Sequence, residues 1–260
     1  MSKIFKISVI TVLYNAKKYL ESTIKSMIKN KTPNVEYIVI DGKSTDGSID
    51  IIKKYLDNID HFVSEPDNGM YDGLNKGIKL AKGDIIGQIN ADDYYAEGAL
   101  QKVIDIYKET NFDLFYGNTL IIDQQGNIVS KKTARKWENI YYGNPEFLHS
   151  ACFFSRSILD KVGYYNPKYK IAGDIDLLQR VYLNTDKDKV VYKDVDISYQ
   201  RIGGMSQHKL GWFRGYKEYK KISIENGCKR TVSNYYFYKK TILRIIFIIR
   251  DFLLYKLIKK

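Results

Sequence analysis

Four short β-branched runs separated by three longer amphipathic stretches fill the chain from Lys6 to Asp93, and this alternation restricts the possible folds more than any other feature. Lys6–Leu13, Tyr37–Ile40, His61–Ser64 and Ile85–Ile89 read as strands. Lys18–Asn30, Ile49–Tyr55 and Met70–Ala81 read as helices, the first carrying Leu20, Ile24, Met27 and Ile28 on one stripe. Strands joined through helices predict a parallel sheet with right-handed crossovers, a nucleotide-binding arrangement in general terms. At 260 residues the chain suffices for one large α/β domain, or one domain with an appendage. A hydrophobic content of 44% supplies a core, and only four prolines argue against long disordered linkers.

The fourth run stops abruptly at Asn90-Ala91-Asp92-Asp93. Carboxylates at the carboxyl end of a buried strand sit where open α/β sheets place their ligands. Two adjacent carboxylates repel unless something positive lies between them, and a hard divalent cation bound through oxygen meets that need. The competing reading is a solvated Asp-Asp turn that caps a helix beginning near Glu97. Asp41, after the second strand, can accept hydrogen bonds from a base N–H or ribose hydroxyls, or close an Asx turn. Asp46, beside Gly47 and Ser48, suits a turn or helix cap. Neither G-x-G-x-x-G nor G-x-x-x-x-G-K-[ST] follows the first strand, so the charge of any phosphate falls to a metal or to side chains.

Charge divides the chain. Residues 1–128 hold 15 Lys/Arg against 18 Asp/Glu, whereas residues 129–260 hold 27 against 12. The basic half calls for an anionic partner: nucleic acid, phospholipid or a phosphorylated substrate. From Lys209 onward there are 14 Lys/Arg against 3 Asp/Glu, mixed with Trp212, Phe213 and several tyrosines. Ile242, Ile245, Ile246, Ile249, Phe252 and Leu253 share one helical stripe, opposite Lys240, Arg244, Asp251 and Lys259. Such a segment suits a membrane interface, a helix packed on the catalytic domain, or a dimer contact. No uncharged run approaches the ~18–20 residues of a membrane-spanning helix. Met1–Tyr14 has strand composition and no small-residue cleavage site, so it reads as the first strand of a cytoplasmic protein, not a signal peptide. Cys152 and Cys228 match no metal or redox spacing, and a reducing compartment follows.

Six stretches together resemble a family-2-type inverting glycosyltransferase with the GT-A fold. They are I-S-V-I-T-V-L-Y-N (7–15), V-I-D-G-K-S-T-D-G-S (39–48), N-K-G-I-K-L-A-K-G-D-I-I-G-Q-I-N-A-D-D (75–93), H-S-A-C-F-F (149–154), A-G-D-I-D-L-L-Q-R (172–180) and R-I-G-G-M-S (201–206). They occur in family order and at family-like spacing. The resemblance implies a Rossmann-like mixed, mostly parallel sheet flanked by helices. It implies a catalytic domain over residues 1–208, with a nucleotide-sugar half over 1–95 and an acceptor half over 96–208. Residues 209–260 would form a basic, amphipathic helical extension.

By the same resemblance, Val12, Tyr14 and Asp41 would line the nucleobase, with Asp41 on uracil, and Asp72, Asn75 and Lys76 would lie beside the nucleotide. Asn90-Ala91-Asp92 would replace the family's D-x-D, with Asp92 the main ligand of Mn²⁺ or Mg²⁺ and Asp93 beside it. Asn90 stands where the family often has Asp, and can still bond a ribose or sugar hydroxyl. The family's A-R-N-x-G is Gly73-Leu74-Asn75-Lys76-Gly77 here, so Lys76 or Lys79 would serve for the absent Arg. Asp174 aligns with the catalytic base, although its residue type also suits a helix N-cap. Asp176 would orient that helix or meet the acceptor. His149 is either a satisfied core group or an acceptor-sugar contact. Arg201, ahead of Gly203-Gly204, suits a loop closing on a diphosphate, and His208 is a surface histidine or a further metal ligand.

The implied reaction moves a hexose (glucose, galactose or an N-acetylhexosamine) from a UDP-sugar to a polyprenyl-diphosphate-linked sugar. The closest look-alikes build bacterial O-antigen, capsule or lipopolysaccharide repeat units at the inner face of the cell membrane. Nucleic acid is not an expected partner. A sugar-phosphate nucleotidyltransferase would need a Gly-rich basic loop that Ile10–Asn15 lacks. A nucleic-acid-binding protein would leave the acids at three element ends without a purpose, and Asn90 alone prompts the reading of an inactive relative.

Overall fold

The computed structural model describes residues 4–133, 148–203 and 211–243, apart from 230, 232 and 240. The first half follows the sequence pattern closely. It runs β1 (Ile7–Leu13), α1 (Lys17–Asn30), β2 (Val35–Asp41), α2 (Ser48–Lys53), β3 (His61–Ser64), α3 (Met70–Leu80) and β4 (Ile85–Gln88). After it come β5 (Tyr94–Tyr95), α4 (Ala99–Thr110), β6 (Leu114–Ile122), β7 (Ile128–Lys132), β8 (Cys152–Ser155), α5 (Arg156–Val162), α6 (Gly173–Asn184), β9 (Val190–Arg201) and α7 (Gly211–Glu225).

One sheet takes in all nine strands, in the order β3-β2-β1-β4-β8-β6-β9-β5, with β7 paired to β6. The strands β3, β2, β1 and β4 are mutually parallel. β8 then runs antiparallel between β4 and β6, and β9 lies parallel to β6. β5 and β7 are antiparallel edge partners. Six of the nine strands therefore share one direction, and the purely parallel sheet expected from the first ninety residues becomes a mixed one where β8 enters.

Both faces of the sheet are buried at its centre, as strands with helices on either side require, while the edge strand β7 is exposed. On β1 and β2 the side chains alternate between two cores. Val9, Tyr37 and Val39 face Leu20, Ile24 and Met27 of α1 and Leu100, Val103 and Ile104 of α4. Ile10, Ile38 and Ile40 belong with Leu74 and Ile78 of α3, Ile158 of α5, and Leu177 and Leu178 of α6. α3 lies unusually close to β1 because two glycines one turn apart face it. A Cβ on Gly73 would stand 2.6 Å from Val12 Cγ1, and one on Gly77 2.5 Å from Ile10 Cγ2.

The adjacent aspartates cap no helix. β5 follows them directly, and α4 starts only at Ala99, with Gly98 in a left-handed conformation before it. At the other end of the chain, α7 packs on α6, and Ile222 shares a small core with Tyr169, Ala172 and Ile175. The apolar stripe from Ile245 onward lies outside the described residues. Among the described residues no helix is long and apolar enough to cross a membrane.

Gly87, in the centre of β4, tests the packing across the β4–β8 junction. A Cβ there would sit 2.5 Å from Cε1 of the buried Phe153 ring. Gly87→Ala should destabilise the fold by about 1–3 kcal/mol through overpacking, read as a lower urea midpoint with an unchanged slope.

Candidate active site

Parallel β1, β2, β3 and β4 all deliver their carboxyl ends to one edge of the sheet, and the loops leaving that edge are stitched together. Asn15, held at φ 51° where Asn is tolerated, donates its N–H to Ser44 Oγ at 2.8 Å and accepts the Thr45 N–H on Oδ1 at 2.8 Å. Ser48 Oγ and Asp46 Oδ2 accept the N–H groups of Ala16 and Lys17. They supply α1 with the cap that its own sequence lacks. Asp46 Oδ1 meanwhile accepts both the N–H and the hydroxyl of Ser48. Tyr14 stays 65% exposed beside this seam, its ring free to stack.

Asp41 is the last residue of β2 and is fully buried. Its carboxylate accepts the Ser44 N–H at 3.0 Å and the Ser64 hydroxyl at 2.6 Å, so it closes a turn and ties β2 to β3. Asp67, which the sequence reading passed over, reaches the same region. Its Oδ2 lies 2.7 Å from the Cβ position of Gly42 and 3.5 Å from that of Gly73, while Oδ1 accepts the Gly69 N–H. The signal that could have found it is a pair of glycines that leave room for one carboxylate. Asp72 accepts the N–H of Asn68 at 3.0 Å, and Lys76 bridges Glu65 Oε1 and Pro66 O at 2.8 Å each. Asn75 mimics a peptide group: its amide donates to Tyr165 O and accepts from Tyr165 N. Val12 packs under α3 against Gly73.

At the end of β4 the two aspartates have different surroundings. Asp93 is 1% exposed; its Oδ1 accepts the Arg201 N–H at 2.9 Å and its Oδ2 accepts the Asn90 amide at 2.9 Å. Arg201, itself buried, lays its guanidinium 4.1 Å over the Tyr19 ring and donates to the carbonyls of Asp123 and Gln124 and, at 3.4 Å, of Asp92. Ala91 is buried in the core. Asp92 remains partly exposed, and among the described residues none donates a side-chain or backbone hydrogen bond from elsewhere to its carboxylate. Burial pushes the Asp92 carboxyl up, with Arg201 opposing; burial and then the charge of Asp92 push Asp93 up.

Among the described residues no group of three His, Cys, Asp or Glu side chains forms a ready-made metal cage. A single outward carboxylate still fits Mg²⁺ or Mn²⁺, because such ions are held through one or two carboxylates together with substrate phosphates. Asp92, partly exposed just past β4, offers such a carboxylate. The oxygens of Asp93 already serve the fold, and His208 lies outside the described residues.

The second acid, Asp174, opens α6 but does not cap it. Ala172 occupies the cap position, and Asp174 Oδ1 instead accepts the N–H of Ile175 at 2.9 Å and faces the Tyr71 hydroxyl at 3.4 Å. Burial pushes its carboxyl up to about 6, against the lowering effect of those hydrogen bonds. Asp176 has another task. It holds Arg180 (Nε at 3.0 Å, Nη2 at 2.9 Å), which in turn donates to the carbonyls of Val162, Gly163 and Tyr164.

A wall of polar groups joins this acid to β4. Gln88 Nε2 meets His149 Nδ1 at 2.9 Å, and His149 Nε2 meets the Tyr165 hydroxyl at 2.7 Å. Tyr165 stacks on Tyr71 with ring centroids 5.6 Å apart, and Tyr71 reaches Asp174. A donor on Nδ1 makes Nε2 the protonated nitrogen, so the ring is neutral, and burial lowers its pKa to about 4. Gln88, Tyr71 and Tyr165 carried no sequence signal of this role, since single polar residues in apolar runs read as packing.

Residues 8–163 match the sequence description of glycosyl transferase family 2. An uncharacterised glycosyltransferase of Haemophilus influenzae is 29% identical over 207 residues, covering 77% of this chain and 80% of that protein. A putative teichuronic acid biosynthesis glycosyltransferase of Bacillus subtilis is 30% identical over 128 residues, covering 48% of this chain and 51% of the other. S. aureus TarS 1-349 in complex with UDP-GlcNAc superposes with a TM-score of 0.67 at 19% identity, covering 89% of this chain and 70% of that one. The chain spans 42% of the longer TarS. The mannosyltransferase PcManGT of Pyrobaculum calidifontis, in complex with GDP-Man and Mn²⁺, superposes at 0.64 with 15% identity, covering 92% of this chain and 70% of that one.

His149 gives a stability test of the wall. Its folded pKa lies below the usual value for histidine, so between about pH 6.5 and 4 the unfolded chain binds the extra proton and stability falls as pH falls. Asp174, pushed up, contributes with the opposite sign near pH 4–6, so only a difference isolates the histidine. His149→Gln should flatten the loss of stability on acidification by up to about 1.4 kcal/mol per pH unit relative to the wild type, measured by urea unfolding.

Proposed function

The chain belongs to glycosyl transferase family 2, and on that premise we propose that it transfers a hexose from a UDP-sugar, with inversion, to a sugar on a polyprenyl diphosphate in bacterial surface-polysaccharide synthesis. The observation that carries the reading is a pair of separate acids: Asp92, partly exposed just past β4, and Asp174, whose carboxyl burial raises to about 6 so that it serves as a base near neutral pH. The UDP-GlcNAc bound to TarS and the teichuronic acid biosynthesis of the B. subtilis relative support the donor class and the surface-polymer setting. The net positive charge of residues 129–260 supports an anionic acceptor and an anionic membrane face.

In this mechanism Tyr14 stacks on the uracil, with Asp41 and Asp67 shaping the floor below the nucleoside. Asp92 would hold the divalent cation, Mn²⁺ or Mg²⁺, which when bound would offset the charge that builds on the leaving diphosphate. Asp174 takes the proton from the acceptor hydroxyl as that oxygen forms its bond to the anomeric carbon and the bond to the diphosphate oxygen breaks. Its carboxyl, raised to about 6, is largely ionised at pH 7 yet more basic than an exposed aspartate. Tyr71 and the neutral His149 orient this acid and the acceptor sugar without adding a competing charge.

Calorimetry of UDP, GDP and dTDP with and without Mn²⁺ tests the donor half. Metal-dependent UDP binding that Asp92→Ala abolishes is the expected result; binding indifferent to both would move the metal elsewhere. Asp174→Asn should keep UDP affinity and lose about 10²–10⁴-fold in turnover. No nucleotide binding by the wild type would sink the transferase reading.

A further inference from the structure

α7 comes from the stretch that the sequence marks as an extension, yet one of its side chains reaches into the acceptor half. The Glu218 carboxylate accepts three consecutive backbone N–H groups: Lys170 at 3.1 and 3.2 Å, Ile171 at 2.9 Å and Ala172 at 2.9 Å. These residues lead into α6, which has no side-chain cap of its own. Glu218 is therefore a cap supplied by another helix, with a full negative charge at the positive end of α6. The Ile171–Ala172 peptide group is gripped from its other side as well, because the Tyr71 hydroxyl donates to Ile171 O at 2.9 Å. The helix is seated closely enough to make the grip firm. Ile222 packs with Tyr169, Ala172 and Ile175, and Glu225 pairs with Lys168 at 2.9 Å and with the Tyr169 hydroxyl.

We propose that Glu218 is a positioning residue for the transfer reaction, holding the 170–172 backbone so that the Asp174 carboxylate is presented to the acceptor hydroxyl. This inference rests on Asp174 being the base. Tyr71 of α3 faces Asp174 at 3.4 Å, and the other titratable groups whose charge bears on it are Tyr165, Cys152 of β8, and Tyr219 and Glu218 of α7. On α6 itself, Asp176 is paired with Arg180. Burial pushes the three phenols and the thiol up, so they are neutral near pH 6. Glu218 adds a negative charge to that setting, which raises the proton affinity of Asp174 beyond what burial does. Glu218 would thus set where the base sits, and its charge would add a smaller share to the pH at which the base works, which burial chiefly sets.

The test uses the full chain with a UDP-hexose as donor (UDP-glucose, UDP-galactose and UDP-N-acetylglucosamine tried in turn) and water as acceptor, alongside a carbon-13 titration of the Asp174 carboxyl. Glu218→Gln should move the acid limb of kcat and the Asp174 titration to lower pH. Glu218→Ala should lower kcat about tenfold or more with donor KM within about twofold, and Gln should restore part of that loss. An unchanged acid limb and an unchanged Asp174 titration in Glu218→Gln would overturn the proposal, even if Glu218→Ala fails to fold. A matched rise in KM with no change in kcat would overturn it too. Asp174→Asn turning over at the wild-type rate would instead sink the base assignment and the positioning role with it. The carboxyl titration would then still show whether the two acids are coupled.

Discussion

A carboxylate sealed from water holds the two parts of this sheet together. Asp93, just past β4, takes the backbone N–H of Arg201 at the end of β9, while the Asn90 amide closes the turn between them. Leaving either oxygen unmatched in that setting would cost about 1–3 kcal/mol or more, so the turn has little freedom to open. With Asp93 turned inward, Asp92 is left beside it, partly exposed and available to a cation. The geometry of the candidate donor site is thus a by-product of how the mixed sheet is pinned where its parallel part meets the strands that follow.

The sequence made the first half of the fold legible because period and length agree there. β3 was delimited to the residue, and α1, α3 and β4 to within one. What it could not reveal was β8 entering antiparallel next to β4, since Cys152–Ser155 is a short apolar run whose direction no local pattern encodes. Likewise β5, two residues long, owes its existence to β9 and not to its own propensity.

The candidate site was legible as a set of residues and much less as a set of roles. Asp92 and Asp174 carried signals because they fall in stretches that together resemble the family's, although acids at element ends are otherwise ordinary caps and turns. Asn75, Asp176 and Arg201 carry the same residue types as ligand-binding groups, yet Asn75 and Arg201 hold backbone from distant parts of the chain, and Asp176 pairs with Arg180, which does the same. Tertiary partners decide between those uses, and sequence spacing does not contain them. Glu218 escaped notice for the opposite reason, as one of two acids in a basic helix.

The wall of Gln88, His149, Tyr165 and Tyr71 has one more consequence. Every member is uncharged at neutral pH, and the wall is largely closed to water, so it behaves as a dielectric spacer and not as a screen. Asp174, at one end of it, keeps a raised proton affinity because little water and few mobile counter-ions reach it from that side, so its basicity is set chiefly by burial and not by a charged neighbour in the wall.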